Sequence, residues 1–166
     1  IVLLGETKEE LGGSEYLKLI HGLVQGPPPG IDLKAESGLI STILETSEMG
    51  IINSAHDLSE GGLAFAIAES CFTPLGTVGV KINPFYGKLR EDAFLFGESQ
   101  SRAIVSLDKK NIRQLENISL KYGVKMEVIG EVKGDSLLIS GLIDLPILKA
   151  YEAWAFGFED ILKNYV

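Results

Sequence analysis

A polar and glycine-rich stretch near the middle of the chain has residue types and spacing that could bind an anion. Residues 54–63 read SAHDLSEGGL and predict a strand end, a polar turn and a helix that begins near Gly61. Ser59 could cap this helix, and the missing side chains at Gly61 and Gly62 would let a phosphate approach its unpaired N–H groups. Alternatively, Glu60 supplies the negative charge at that helix end and the turn only caps the helix.

His56 beside Asp57 in the same stretch suggests acid–base chemistry, because a carboxylate can orient and charge an imidazole near neutral pH. Neighbouring residues of a strand point to opposite faces, however, so we expect the two side chains not to touch. The alternative for His56 is a hydrogen-bonded structural residue at a strand end.

A second cluster of hydrogen-bonding residues separates an apolar helix from a buried strand. It consists of Glu98, Ser99, Gln100, Ser101 and Arg102. The planar guanidinium of Arg102 could bind a phosphate or carboxylate, and the neighbouring hydroxyl and amide groups could bind a small ligand. An ion pair between Arg102 and Glu98 that closes the turn is the alternative. If the ligand hypothesis is right, Arg102→Ala weakens anion binding with little loss of stability.

Composition narrows the classes of partner. The 166 residues include 15 Lys and Arg against 23 Asp and Glu, a formal net charge of −8 that disfavours nucleic acid and anionic lipid. The single cysteine, Cys71, excludes an internal disulfide and suits a reducing cytoplasm. No apolar run reaches the ~18 residues of a membrane span. The start of the sequence, without Met, suggests an excerpt from a longer polypeptide.

The apolar pattern predicts one α/β domain over residues 1–166, a sandwich with a mixed β-sheet flanked by helices. A further glycine pair, in residues 10–16 (ELGGSEY), precedes the first helix and is a weak signal alone. The predicted strands are 1–4, 50–55, 77–82 and 102–107, with a hairpin of 125–132 and 136–139. The predicted helices are 14–21, one capped by Asp32, one from about 61, 88–96, one from Asp108 to about 122, and two short ones at the end.

The order of four segments resembles one known family. They are similar to the second C-terminal repeat of formylglycinamidine ribonucleotide synthetases. In chain order the segments are LGETKEELGGSEY, SAHDLSEGGLAFAIAES, LFGESQSRAIVSL and IGEV, the last followed by a late Trp. These enzymes belong to the aminoimidazole ribonucleotide synthetase superfamily. The resemblance spans nearly the whole chain, and the central segment is its most specific part.

The resemblance implies a reaction and a set of partners. In that family ATP phosphorylates the formamide oxygen of formylglycinamide ribonucleotide, and ammonia from a glutaminase displaces the phosphate to give the amidine. ATP and magnesium would bind mainly to preceding domains of the polypeptide, and the glutaminase and a small auxiliary subunit would be further partners. The isolated domain would be inactive. No catalytic or metal-binding residue is assigned to this chain.

The resemblance places two groups of residues at an interdomain cleft that binds nucleotide or formylglycinamide ribonucleotide. They are His56, Asp57, Ser59, Glu60, Gly61 and Gly62 in the turn, and Glu98, Ser99, Gln100 and Arg102 in the polar cluster. Two alternatives stay open. One is another member of the superfamily, such as aminoimidazole ribonucleotide synthetase, thiamine monophosphate kinase or selenophosphate synthetase. The other is a non-catalytic interaction module.

Overall fold

A computed structural model describes residues 1–73, 76–83 and 89–163, which form two compact units. The first unit contains residues 1–67 and the described part of 85–129, and the second contains the described residues of 68–84 and 130–166. The strands are β1 (Val2–Leu4), β2 (Ile52–Asp57), β3 (Phe72–Thr73), β4 (Gly76–Thr77), β5 (Val80–Ile82), β6 (Ala103–Leu107), β7 (Met126–Val128), β8 (Gly130–Val132), β9 (Ser136–Ile139) and β10 (Ile143–Pro146). The helices are α1 (Glu15–His21), α2 (Leu33–Glu48), α3 (Gly62–Ser70), α4 (Glu91–Phe96), α5 (Ile112–Tyr122) and α6 (Ile147–Lys163).

The first unit is built on an antiparallel sheet with the strand order β2-β6-β1-β7. The side chains of Val2 and Leu4 in β1 point to one face of the sheet and that of Leu3 to the other, as expected for a strand. All three residues are buried. Val2 and Leu4 belong to a core cluster with Leu39 of α2 and Leu115 of α5. Helices α2 and α5 therefore cover one face of the sheet.

Asp32 caps α2 as predicted, because its Oδ1 accepts the N–H groups of Lys34 (2.8 Å) and Ala35 (3.2 Å). The large apolar residues of this helix face the core only in part. Leu39 is buried and Ile43 packs on the core, but the exposed residues include Leu33, Ile40 and Leu44. Small residues, Gly38, Thr42 and Thr46, occupy the buried face instead.

The second unit contains the mixed sheet, with the strand order β10-β9-β5-β8 and β5 parallel to β9. Phe72 contacts Tyr151 and Trp154 of α6, with ring centroids 5.5 and 5.4 Å apart. Burial raises the pKa of the Cys71 thiol to about 11, so this cysteine is an unreactive core residue at neutral pH.

The α/β class, with a mixed sheet and flanking helices, is confirmed, whereas three predicted elements are wrong. The predicted hairpin of 125–132 and 136–139 does not form, because β5 lies between β8 and β9, and β7 joins the other sheet. One strand and one long helix, β10 and α6, replace the two short terminal helices. A 3₁₀ turn at Lys109–Asn111 precedes α5, and Asp108 makes no side-chain cap there. The predicted start of the helix at Lys88 lies outside the described residues.

Among the described residues, no helix combines the length and the apolar character needed to cross a membrane. The prediction that residues 1–166 form a single domain stays a prediction.

We predict that Gly38→Ala destabilises the first unit, although alanine is the better helix former by about 1 kcal/mol. A Cβ at Gly38 would lie 2.6 Å from the carbonyl oxygen of Tyr122, so α2 and α5 would have to separate. We expect the free energy of unfolding to fall by about 1–3 kcal/mol in urea titrations. Ser37→Ala, at an exposed neighbouring position, is the control and should change it by less than about 0.5 kcal/mol. An equal or higher stability of Gly38→Ala would contradict the close helix contact.

Candidate functional site

All the sequence-predicted site residues lie in the first unit, at one edge of its sheet. The register pairs Leu4 with Ala103 and Met126, and Ala103 with Asp57. The carboxyl ends of β1 and β2 and the amino ends of β6 and β7 therefore meet at this edge. We call the loops that leave it, residues 5–14, 58–61, 97–102 and 123–125, the loop edge.

The carboxylate of Glu98 connects three of the sequence segments. Its Oε1 accepts the N–H of Gly61 at 2.9 Å and the N–H of Glu15 at 3.0 Å. Glu15 is the first residue of α1, and Gly61 directly precedes α3. One side chain thus binds two helix N-termini, where a negative charge is favoured by the N–H groups and by the helix dipole.

The glycines before α3 serve close packing in this structure. Gly62 has a φ of 63°, and a Cβ there would lie 2.5 Å from the carbonyl oxygen of Gly97. Gly61 has a φ of 79°, and its N–H is already bound by Glu98. The position that the sequence suggested for a phosphate near Gly61 therefore contains a carboxylate of the protein. Ser59 accepts the Gly62 N–H through its backbone carbonyl at 3.1 Å.

Arg102 is buried and holds the same loops from inside. Only 2% of the residue is exposed, and it donates to the carbonyl oxygens of Ser99 (2.9 Å) and Gly97 (2.5 Å) and to Thr7 Oγ1 (3.1 Å). Burial lowers the pKa of Arg102 to about 10, and the charge of Glu10 acts in the opposite direction. Three donors of the guanidinium are thus used on protein oxygens, and the suggested ion pair with Glu98 is replaced by these bonds.

The remaining residues of the polar cluster divide between the interior and the surface. Ser99 is fully buried, and its Oγ accepts the N–H of Lys8 at 3.3 Å. Gln100 is exposed, and its Nε2 donates to the carbonyl of Glu98 at 3.2 Å. Ser101 has the left-handed φ of 60°, which is uncommon for a residue other than glycine, and donates to Glu36 Oε2 at 2.6 Å.

The expectation that His56 and Asp57 do not touch is wrong. Nδ1 of His56 lies 2.6 Å from the backbone oxygen of Asp57 and 3.8 Å from its Oδ1. The ring turns along the strand toward the next residue because β2 ends there and the chain bends into the turn. The Asp57 side chain is 81% exposed, so its attraction for the imidazole is weakened by solvent.

The ten predicted residues therefore fall into two groups. Those that hold the loop edge together are Gly61, Gly62, Glu98, Ser99 and Arg102. Those that place polar groups at or near the surface are His56, Asp57, Ser59, Glu60 and Gln100. The members of the second group are exposed, apart from the half-buried His56.

A pocket of about 360 Å³ opens beside Gln100 at the loop edge. Its lining includes Lys8, Asp32, Ser101 and Lys125. Lys125 pairs with Glu6 at 3.3 Å, so the pocket carries charges of both signs. Lys8 and Lys125 were not among the predicted site residues. Lys8 follows β1, and Lys125 precedes β7. Antiparallel pairing of β1 with β7 places both residues at the same edge of the sheet.

Among the described residues, no group of three His, Cys, Asp or Glu side chains is arranged to hold a metal ion. Two acidic residues of the loop edge accept backbone N–H groups. Glu98 binds two backbone N–H groups, and Glu10 Oε1 accepts the N–H of Gly30 at 3.2 Å. Within the described residues, the loop edge therefore offers no cluster of carboxylates for magnesium.

A family model agrees with the class of fold. Residues 1–141 match the family described as AIR synthase related protein, C-terminal domain. The chain therefore belongs to this family. The match includes the whole loop edge and ends before β10 and α6.

Curated relatives of this chain share one description. The chain is 42% identical over 158 residues to phosphoribosylformylglycinamidine synthase subunit PurL of Thermoanaerobacter sp. strain X514, covering 93% of this chain and 21% of the relative. It is 37% identical over 173 residues to the PurL subunit of Anaeromyxobacter sp. strain K, covering 99% and 22%. The chain thus spans about a fifth of the length of the relatives that it matches.

Solved structures show the same fold. Thermotoga maritima PurL complexed with FGAR superimposes with a TM-score of 0.74 and 21% identity, over 90% of this chain and 27% of that one. A chain of the HypE–HypF complex superimposes with a TM-score of 0.57 and 22% identity, over 87% and 50%. At these identities the likeness concerns the fold alone.

We predict that Glu98→Ala destabilises the first unit by about 2 kcal/mol, because the N–H groups of Glu15 and Gly61 lose a charged acceptor. Glu98→Gln keeps an acceptor oxygen and should lose about half as much. Urea unfolding of both variants measures the difference. Glu116→Ala, at an exposed position of α5, is the control. Equal stability of Glu98→Ala and the control would show that the bridge contributes nothing.

We predict that Arg102→Ala lowers the free energy of unfolding by about 3 kcal/mol, since two buried carbonyl groups lose their donor and a cavity remains. The sequence alone predicts little loss of stability for this substitution, and such a result would contradict that prediction. Arg102→Lys should be intermediate, because one ammonium group lacks the planar fork that reaches three acceptors. Thermal and urea unfolding provide the measurement, with exposed Arg113→Ala as the control. A loss below about 0.5 kcal/mol would refute the role of Arg102 as an internal clamp.

Proposed function

We propose that this chain is the C-terminal domain of a phosphoribosylformylglycinamidine synthase subunit. The complete enzyme would convert formylglycinamide ribonucleotide, ATP and glutamine-derived ammonia into formylglycinamidine ribonucleotide, ADP and phosphate in purine biosynthesis. The similarity to PurL subunits over 93% of the chain supports this assignment. So does the match to the C-terminal domain family over residues 1–141. The reaction would take place in the cytoplasm.

The observation that carries the proposed role is the convergence of three separate sequence segments on Glu98. This carboxylate and the buried Arg102 fix the backbone of the loop edge before any ligand arrives. A fixed edge lowers the entropy lost when a ligand or a domain binds to it. In this proposal the loop edge forms one wall of an interdomain cleft, and the chain alone has no ligase activity.

The residues proposed to face the cleft are the exposed polar ones. Asp57, Ser59 and Glu60 follow β2, and Gln100 lines the pocket of about 360 Å³ at the same edge. Carboxylate, hydroxyl and amide groups can bind the hydroxyl and amide groups of a ribonucleotide substrate or the ribose of a nucleotide. Glu98, Ser99 and Arg102 would act as positioning residues, because their polar groups bind the loops themselves.

ATP and magnesium would bind mainly to parts of the polypeptide that precede this chain. Structures of T. maritima PurL complexed with ATP and with FGAR support the ligands of this proposal. A glutaminase and a small auxiliary subunit would be further partners, and a structure of PurLQS from the same organism shows that such a PurL subunit occurs in a larger assembly. The chemistry that ATP would supply is phosphorylation of the substrate oxygen. This chain would contribute the wall against which the substrate is oriented.

A second candidate function is a non-catalytic module that binds the neighbouring domain. One observation favours it: three donors of Arg102 and the N–H of Gly61 already bind protein oxygens, so these groups are occupied without a ligand. Under this alternative the loop edge contacts protein only.

The test is ammonia-dependent ADP formation from ATP and formylglycinamide ribonucleotide, using the remainder of the polypeptide with and without this chain. We expect activity only when both pieces are present, because the cleft needs both walls. Absence of restored activity, with both pieces folded and associated, would contradict the proposal. Gln100→Ala and Asp57→Asn should each lower kcat/KM about tenfold or more without changing association, while Glu116→Ala leaves it unchanged. Full activity of both variants would favour the module.

A further inference from the structure

The last turn of α1 and the connection to α2 form an uncharged segment at the surface. Residues 19–31 read LIHGLVQGPPPGI, without Asp, Glu, Lys or Arg. Because 23% of the whole chain is charged, about three charges would be expected in these thirteen residues. We call this segment the apolar loop.

The apolar loop is exposed along its length. Leu19 is 70% exposed, Ile20 66% and Val24 81%, and Leu23 and Ile31 are exposed as well. No residue from Leu19 to Ile31 is buried. Single exposed apolar residues are common on proteins, but a contiguous group without charges is typical of a surface that another body covers.

The backbone of the apolar loop is held in place in its middle and near its C-terminal end. Gln25 accepts the N–H of Gly13 through its carbonyl at 3.0 Å, and Gly30 donates to Glu10 Oε1 at 3.2 Å. A Cβ on Gly12 would lie 2.0 Å from the carbonyl oxygen of Pro27, so the proline run passes directly over this glycine. Three consecutive prolines also restrict the backbone. The segment is therefore a preformed surface, which loses little entropy when it binds.

The same contacts join the apolar loop to the loop edge. Gly12, Gly13 and Glu10 belong to the loop that follows β1, and α1 begins at Glu15, whose N–H is bound by Glu98. A domain that covers the apolar loop would consequently lie next to the exposed polar residues of the loop edge.

We propose that the apolar loop docks on an apolar, uncharged face of the ligase polypeptide outside this chain, and so sets the position of the loop edge in the cleft. This inference rests on the proposed function. The chain spans 21% of its relatives, which therefore carry a large remainder on the same polypeptide. Thirteen residues are fewer than the ~20–30 per side of a standard interface between separate proteins. They suit a partner on the same chain, where the effective concentration reaches about millimolar.

A second copy of this chain fits the surface less well. Each copy has a net charge of −8, so two copies repel each other at low salt, and the small patch offers little area to offset that repulsion.

The test is a titration of this chain into the remainder of the polypeptide, with Val24→Glu and a matched control. Leu120→Glu places the same charge on a residue of α5 that is 72% exposed, against 81% for Val24. We expect Val24→Glu to raise the Kd at least tenfold, because a carboxylate would be buried without a partner, and Leu120→Glu to leave it unchanged. Hydrogen exchange should show slowed amides from Leu19 to Gln25 in the wild-type complex. Unchanged urea unfolding of both variants alone would show that folding is intact.

Several outcomes would overturn the inference. If Val24→Glu binds like Leu120→Glu while ammonia-dependent ADP formation is restored, the proposed function stands and the docking role fails. If amides of the apolar loop are protected in the chain alone, in a concentration-dependent way that Val24→Glu abolishes, the occupant is a second copy. If the wild-type chain neither binds the remainder nor restores ADP formation, both proposals fail together.

Discussion

One carboxylate, that of Glu98, connects loops that are far apart in sequence. Its Oε1 binds the N–H of Glu15 at the start of α1 and the N–H of Gly61 before α3. Both groups are backbone donors at helix N-termini, where an unpaired N–H is costly and a negative charge is favourable. The side chain thus takes the position that an anionic ligand could otherwise occupy and makes the loop edge part of the folded structure.

Arg102 supplies the complementary part of this arrangement. A buried guanidinium needs acceptors, and it obtains them from the carbonyls of Gly97 and Ser99 and from Thr7. These bonds connect the loop after β1 with the segment before β6. Glu98 and Arg102 therefore position the backbone, whereas Gln100 lies exposed at the surface. Loss of either charged residue would act through the shape of the edge.

In the proposed enzyme, the first unit would form one wall of a larger cleft. The first unit presents the loop edge and the apolar loop side by side, with polar groups on one and uncharged apolar groups on the other. A partner with a matching apolar face would be guided to this side, and its arrival would exclude water from the polar residues beside it. Exclusion of water strengthens hydrogen bonds to a ligand in such a cleft. The chain spans about a fifth of its PurL relatives, so the opposite wall would come from elsewhere in the polypeptide.

Local signals in the sequence determined much of the secondary structure and the class of fold. Apolar runs and caps located β1, β6, α2 and the mixed α/β class, and the cap at Asp32 follows from its position before a helical pattern. The glycine and polar segments come together at the loop edge, and their role as a binding site stays a prediction. The family follows from the wording of the same segments and is borne out by the match over residues 1–141.

Only the tertiary structure decided what each polar residue does. Sequence spacing could not show that β5 inserts between β8 and β9, because strand order depends on contacts between distant residues. Nor could it show that the buried face of α2 is centred near Gly38, since that orientation depends on the close approach of α5. For the same reason it could not assign Glu98 to two backbone donors 37 and 83 residues away. Burial and long-range hydrogen bonds are properties of the folded chain, and they separate the residues that hold the loop edge together from those that are exposed at its surface.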